Sequence, residues 1–190
     1  APSNCARGFI STPPIDPRAQ FEGAVGIGGG IGELWLEIGF GGGEHLAAQA
    51  VAHPDVGFIG CEPFMNGVAR LMSDIDARHL QNIRVHADDA RDLMDALPDA
   101  SISRCFILFP DPWPKLRHNN RRMVSRENLD ALARILADGA ILRLASDHME
   151  YVRWILFHIL GHDAFEWKCQ GPEDWRQRPA DAPPTRDEEK

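Results

Sequence analysis

No apolar run in these 190 residues approaches the roughly 20 needed to cross a bilayer, so no membrane-spanning helix is expected. The N-terminus lacks the basic-then-apolar pattern of a secretory signal. Cysteine is scarce. Cys5, Cys61, Cys105 and Cys169 lie far apart and form no Cys-x-x-Cys pair. Cys61 and Cys105 fall in apolar, strand-like runs, which favours reduced buried thiols over disulfides or metal ligands. A cytoplasmic protein is expected. A nucleophile elbow and a Ser-His-Asp order are missing as well. His158 and His162 share a helix, but Gly161 lies between them and no third ligand is evident, so no metal is expected.

An excess of basic charge is also lacking: 20 Lys and Arg face 28 Asp and Glu, a net charge of −8. That balance works against nucleic-acid binding, yet polyanions are steered by local patches rather than whole-chain charge. Lys115, Arg117, Arg121, Arg122 and Arg126 follow one another with no acid until Glu127. The acids concentrate elsewhere, in 73–99 and 181–189.

The length suits one domain with a real core. Residues 1–33, rich in Pro and Gly, read as an N-terminal arm or linker. The glycine run 26–32 has no strand before it and no helix pattern after it, so it reads as linker rather than phosphate loop. From Leu34 onward, strand and helix patterns alternate. Strands are predicted at 34–38, 57–61, 83–86, 102–109 and 140–145, with a sixth at 165–168. Helices are predicted at 43–52, 63–78, 91–96, 125–136 (Ser125 as its cap) and 149–160. The fold class is α/β: a doubly wound, mostly parallel sheet with helices on both faces.

The most informative segment is Phe109-Pro110-Asp111-Pro112-Trp113-Pro114-Lys115-Leu116-Arg117-His118-Asn119-Asn120-Arg121-Arg122. Two prolines flank a carboxylate at a strand end, fixing φ and removing two backbone donors. Asp111 is thereby held on a stiff turn, as a catalytic acid would be. The basic run beside it suits a phosphate backbone. Upstream, Glu37-Ile38-Gly39-Phe40-Gly41-Gly42-Gly43 ends a strand and opens a helix. Such a turn brings backbone close to a cofactor. Dinucleotide folds want a third glycine where this chain has Glu44, and a carboxylate repels a pyrophosphate. A cationic, phosphate-free cofactor fits better, with Glu37 near its positive end. Glu62, at the end of the second strand, is placed to accept hydrogen bonds from ribose hydroxyls.

The first of these motifs resembles that of class I S-adenosylmethionine methyltransferases. Together with the Phe-Pro-Asp-Pro-Trp turn and the Lys-x-Arg-His-x-x-Arg-Arg run, the chain resembles the bacterial tRNA (guanine-N7-)-methyltransferase family over roughly residues 34 to 188. The resemblance implies a Rossmann-like fold and S-adenosylmethionine as cofactor, held by Glu37, Gly39, Gly41, Gly43, Glu62 and Asp89. Asp89 lies in the Asp-Ala pair that touches the adenine side in the family, or else it caps the helix after it. The implied reaction is methyl transfer to N7 of a guanine in the tRNA variable loop (nucleotide 46). Asp111 either stabilises the growing positive charge on the base or grips its N1–H and amino group. Trp113 stacks on the base or is a core or lid tryptophan. Lys115 holds phosphate or a base oxygen, and Arg117, Arg121 and Arg122 clamp the phosphate backbone. Asp147, Thr185, Arg186 and Glu188 match the family's substrate-pocket motifs, with Asp187 where an aromatic is usual.

The domain layout expected is an arm at 1–33, a methyltransferase domain at 34–170 and a substrate-pocket segment at 171–190. The family's seventh, antiparallel strand is expected to be missing from this chain. The partner is tRNA, with no membrane or metal, and the enzyme a monomer or homodimer. Two other readings fit parts of the pattern: an NAD-dependent oxidoreductase, from the glycine turn and Glu62, and a non-catalytic tRNA-binding module.

Overall fold

The computed structural model describes residues 16–22 and 32–176. Five strands form one parallel sheet: β1 (Glu33–Ile38), β2 (Val56–Cys61), β3 (Ile83–His86), β4 (Ile102–Leu108) and β5 (Leu136–Ala145). Their order is β3-β2-β1-β4-β5. The helices between them are α1 (Glu44–Ala52), α2 (Met65–Arg78), α3 (Ala90–Ala96), α4 (Arg126–Ile135) and α5 (Met149–Leu160), followed by a short α6 (Glu173–Arg176).

Alternation along β1 explains the two layers. Leu34, Leu36 and Ile38 point into one core, shared with Leu93, Leu129, Leu132 and Ile155 of α3, α4 and α5. Trp35 points into the other, shared with Leu46, Val68 and Leu71 of α1 and α2. Both faces are covered, which is why the inner strands read as nearly continuous apolar runs. Glu37 lies on the Trp35 face and is buried. Ser125 caps α4, accepting from the Asn128 N–H at 3.3 Å.

Three expectations change. The predicted sixth strand at 165–168 is not a strand. The Phe165 N–H donates to the His162 carbonyl at 3.1 Å, so it is spent on a turn and not on a ladder. β5 starts earlier than its apolar run, at Leu136, with a register shift opposite Ile102 and Arg104 and Gly139 at φ +78°. The described part of the arm is docked. Asp16 Oδ1 accepts from the Arg18 and Ala19 N–H groups, Phe21 is buried, and Arg84 bonds the Gln20 carbonyl at 2.7 Å beneath the Phe21 ring. The rest of residues 1–31 lies outside the described residues. No described helix is long and apolar enough to cross a membrane.

Candidate active site

Strand order reverses direction between β1 and β4, so their C-terminal ends open a crevice. A cavity of about 590 Å³ lies there, lined by the turns after β1, β2 and β4 and by the start of α3. Glu37, Gly39, Gly41, Glu62, Asp89, Asp111, Trp113 and Arg121 all line it. Residues from four strand ends, up to 84 positions apart, thus share one site.

The glycine turn is built by backbone and carboxylate together. Gly39 and Gly41 have φ of +75° and +55°, which side-chain-bearing residues rarely adopt. Glu62 pins the turn: one carboxylate oxygen accepts from the Gly41 N–H, the other from the Phe64 N–H, both at 2.9 Å. Gly67 in α2 lets the helix approach, because a Cβ there would overlap the Gly41 carbonyl. Gly43, expected to touch the cofactor, does not line the cavity. It has φ +82°, and a Cβ on it would collide with Leu71, so its smallness serves helix packing. The Glu44 carboxylate folds over Gly42 at the start of α1. A phosphate seeking that helix N-terminus would meet a negative charge.

Asp89 accepts from the Arg91 N–H at 2.9 Å and pairs with the Arg91 guanidinium, so it does cap α3 while also facing the cavity. Cys61 is buried in the cavity wall, donating to the Asp88 carbonyl at 3.1 Å. Burial, helped by Asp89, Glu62 and Asp88, pushes its thiol far above the ordinary range. Among the described residues the cysteines are free, and no His, Cys, Asp and Glu group could hold a metal. His158 and His162 bond Trp154 O and Asp130 separately.

The turn after β4 is strained. Phe109 and Trp113 have φ of +51° and +42°, unusual for aromatic residues. The exposed Asp111 lies between them. Arg122 was expected to clamp phosphate, but it is buried instead. Its guanidinium donates to the Pro112 carbonyl at 2.9 Å and the Trp113 carbonyl at 3.3 Å, and lies 4.6 Å from the Trp154 ring centre. Trp154 and Tyr151 of α5 bond Val124 O and Val124 N in turn. A buried platform therefore holds the turn. Burial raises the Tyr151 hydroxyl's pKa, and hydrogen bonds to Val124 with the Arg122 charge oppose that only in part.

The cationic strap itself is a 3-10 segment, Leu116–Arg121. Arg121 stacks 4.9 Å from the Trp113 ring centre, at the cavity edge. Lys115 and Arg117 are exposed on the strap beyond it, and Asp147 is exposed after β5, and none of the three lines the cavity. Thr185, Arg186 and Glu188 lie outside the described residues. Sequence reasoning missed two residues here. His45 bonds Glu37, and its only signal was a polar residue on the buried side of α1. Gly67 was detectable only as a glycine inside a helical pattern.

Residues 32–190 match the family model described as "Putative methyltransferase". A tRNA (guanine-N(7)-)-methyltransferase from Rhodospirillum rubrum is 55% identical over 176 residues, covering 93% of this chain and 67% of the relative. One from Ruegeria sp. (strain TM1040) is 51% identical over 177 residues, covering 93% and 66%. The chain thus spans about two thirds of the length of these relatives. Among solved structures, a precorrin-6y C5,15-methyltransferase from Geobacter metallireducens superposes with a TM-score of 0.54 at 17% identity, covering 69% of this chain and 62% of that one. An rRNA methylase from Streptococcus thermophilus gives 0.53 at 14% identity, covering 69% and 70%. These two share the Rossmann-like fold.

Proposed function

The chain belongs to the tRNA (guanine-N(7)-)-methyltransferase family, and from that premise we propose that it transfers a methyl group from S-adenosylmethionine to N7 of a guanine in the tRNA variable loop, nucleotide 46. One observation carries the reading. A cavity walled by Glu37, Glu62 and Asp89 opens directly onto a strained turn bearing Asp111, Trp113 and a cationic strap.

The carboxylate-rich wall fits a cationic ligand without phosphate. Glu37 would face the charged aminoacyl end, Glu62 the ribose, Asp89 the adenine side, and the Gly39 and Gly41 turn would give way to the ligand's bulk. Bound there, S-adenosylmethionine supplies a methyl group already activated on a sulfonium. Guanine N7 has an in-plane lone pair and no proton, so the chain needs no strong base. Its task is positioning and field. The Asp111 carboxylate answers either the positive charge that N7 alkylation puts on the ring or the base's N1–H and amino group. Trp113, backed by Arg121, offers an aromatic face for the base. Lys115, Arg117 and Arg121 meet the phosphate backbone. Asp147, Thr185, Arg186 and Glu188 complete the substrate side on the strength of the family motif. Buried free thiols at Cys61 and Cys105 suit a reducing, cytoplasmic setting.

The test is transfer of labelled methyl to unmodified tRNA transcripts, with the modified nucleotide mapped by mass spectrometry. Asp111→Ala is expected to lose at least about a hundredfold in rate while still binding S-adenosylmethionine. Asp111→Asn divides the two roles: a kcat loss at unchanged KM for tRNA marks charge stabilisation, and a raised KM marks a grip on the base. Near-normal turnover in Asp111→Ala would remove Asp111 from the chemistry.

A further inference from the structure

The motif pair at the strand ends leaves one buried polar contact unused. Glu37 on β1 and His45 on α1 meet with Oε2 and Nδ1 2.6 Å apart, each side chain only 4% exposed. The imidazole is held on three sides. It packs edge-on against Phe106 of β4 at 4.8 Å, is carried by the first turns of α1, and has its second nitrogen 3.5 Å from the Gln49 amide nitrogen. Both partners line the cavity.

We propose that His45 is a positioning residue: its Nδ1–H holds one oxygen of Glu37 so that the other is presented to the aminoacyl end of the cofactor. The proposal rests on the reading that Glu37 faces that end. The bond to His45 pre-organises the carboxylate. The terminal torsion of a glutamate is broad and weakly restrained. Binding a cation would otherwise order it at the moment of binding. A buried, charge-assisted hydrogen bond to a ring that itself cannot turn removes that freedom beforehand. An outer partner that orients a charged ligand-holding group can matter as much as the group itself, as second-shell partners of metal ligands do.

Equilibrium binding of two ligands to the whole chain tests this. S-adenosylmethionine carries the aminoacyl group, whereas 5′-methylthioadenosine keeps adenine, ribose and the S-methyl group but lacks that arm and the sulfonium charge. His45→Leu is expected to weaken S-adenosylmethionine about tenfold, the worth of a charge-assisted bond, and methylthioadenosine less than about twofold. Equal losses for both ligands would mark a merely structural role and overturn the proposal, as would no loss for either. Should His45→Leu fail to fold, His45→Asn and His45→Gln carry the test. Asn puts its amide nitrogen near the Nδ1 position and should keep most of the affinity. Gln puts it near Nε2 and should not, and equal affinities would overturn the proposal. Glu37→Gln separates the two levels. Weaker S-adenosylmethionine binding in Glu37→Gln but not in the His45 variants sinks the positioning role alone. Unchanged binding in Glu37→Gln sinks the reading of Glu37 and the proposal with it.

Discussion

Replacing Arg122 with Met should uncouple methyl transfer from both folding and cofactor binding. Met keeps the apolar stem but removes the guanidinium, so packing is largely preserved. Two carbonyls, Pro112 O and Trp113 O, lose their donor. Both residues are half-buried, so water repairs part of the damage, and about 1 kcal/mol each is a fair cost at the low end for an orphaned acceptor. The guanidinium's contact with the Trp154 ring adds about 0.5–2 kcal/mol. The total is about 2.5–4 kcal/mol. Against it stand two aromatic residues at positive φ, Phe109 and Trp113, each storing about 1–3 kcal/mol that relaxation would release. The restraint and the strain are therefore comparable, and removing the restraint should let the turn relax locally. Global unfolding of a domain this size costs about 5–15 kcal/mol and is not the cheaper route. The expected outcome is a fall in kcat of about seventyfold or more, the fraction of time the turn is lost at about 2.5 kcal/mol. S-adenosylmethionine affinity should stay within about twofold, because Glu62 anchors the cofactor wall independently. Arg122→Lys should fall between, since a point charge cannot span two carbonyls as the fork does. Labelled methyl transfer, cofactor titration and a thermal melt on the same preparations decide it. A wild-type rate in Arg122→Met, or a rate loss that merely tracks lost cofactor binding, would show that Arg122 does not hold the turn.

Two further outcomes follow from buried groups. Gly67→Ala in an ordinary helix would stabilise by up to about 1 kcal/mol. Here the new Cβ meets the Gly41 carbonyl, so net destabilisation and at least about tenfold weaker S-adenosylmethionine binding are expected from chemical melts and titration, and a more stable variant with unchanged affinity would contradict the site's geometry. Cys61 and Cys105 have thiols raised by burial above their ordinary value of 9.0, so the folded chain keeps protons that the unfolded chain releases. Their contribution is fully present below about pH 9 and is lost as pH rises beyond it, by up to about 1.4 kcal/mol per pH unit per thiol. Urea melts between pH 7 and 10.5 should show that decline, flattened in a Cys61→Ala, Cys105→Ala double variant, with Tyr151 adding in the same direction at the alkaline end. A decline of equal slope in the double variant would assign it to other groups.

Periodicity and punctuation are local properties, so they were legible without coordinates. The nearly continuous apolar run at 34–38 and the one before Phe109 located β1 and β4 to within a residue or so. The prolines around Asp111 and the glycines after Glu37 marked both strand ends that meet at the crevice. What a side chain points at depends on elements far along the chain, which come together only on folding. Arg122 sits in a basic run and reads as a surface charge, but aromatics of α5 some thirty residues onward draw it inward. Gly43 and Gly67 look like a ligand glycine and an idle one, but both serve close approach: Gly43 makes room for Leu71 of α2, and Gly67 for the Gly41 carbonyl. His45 carries no motif, because its meaning lies in the distance from α1 back to β1. Residues 165–168 have a strand's composition but no ladder, since a strand exists only where a neighbour receives its hydrogen bonds.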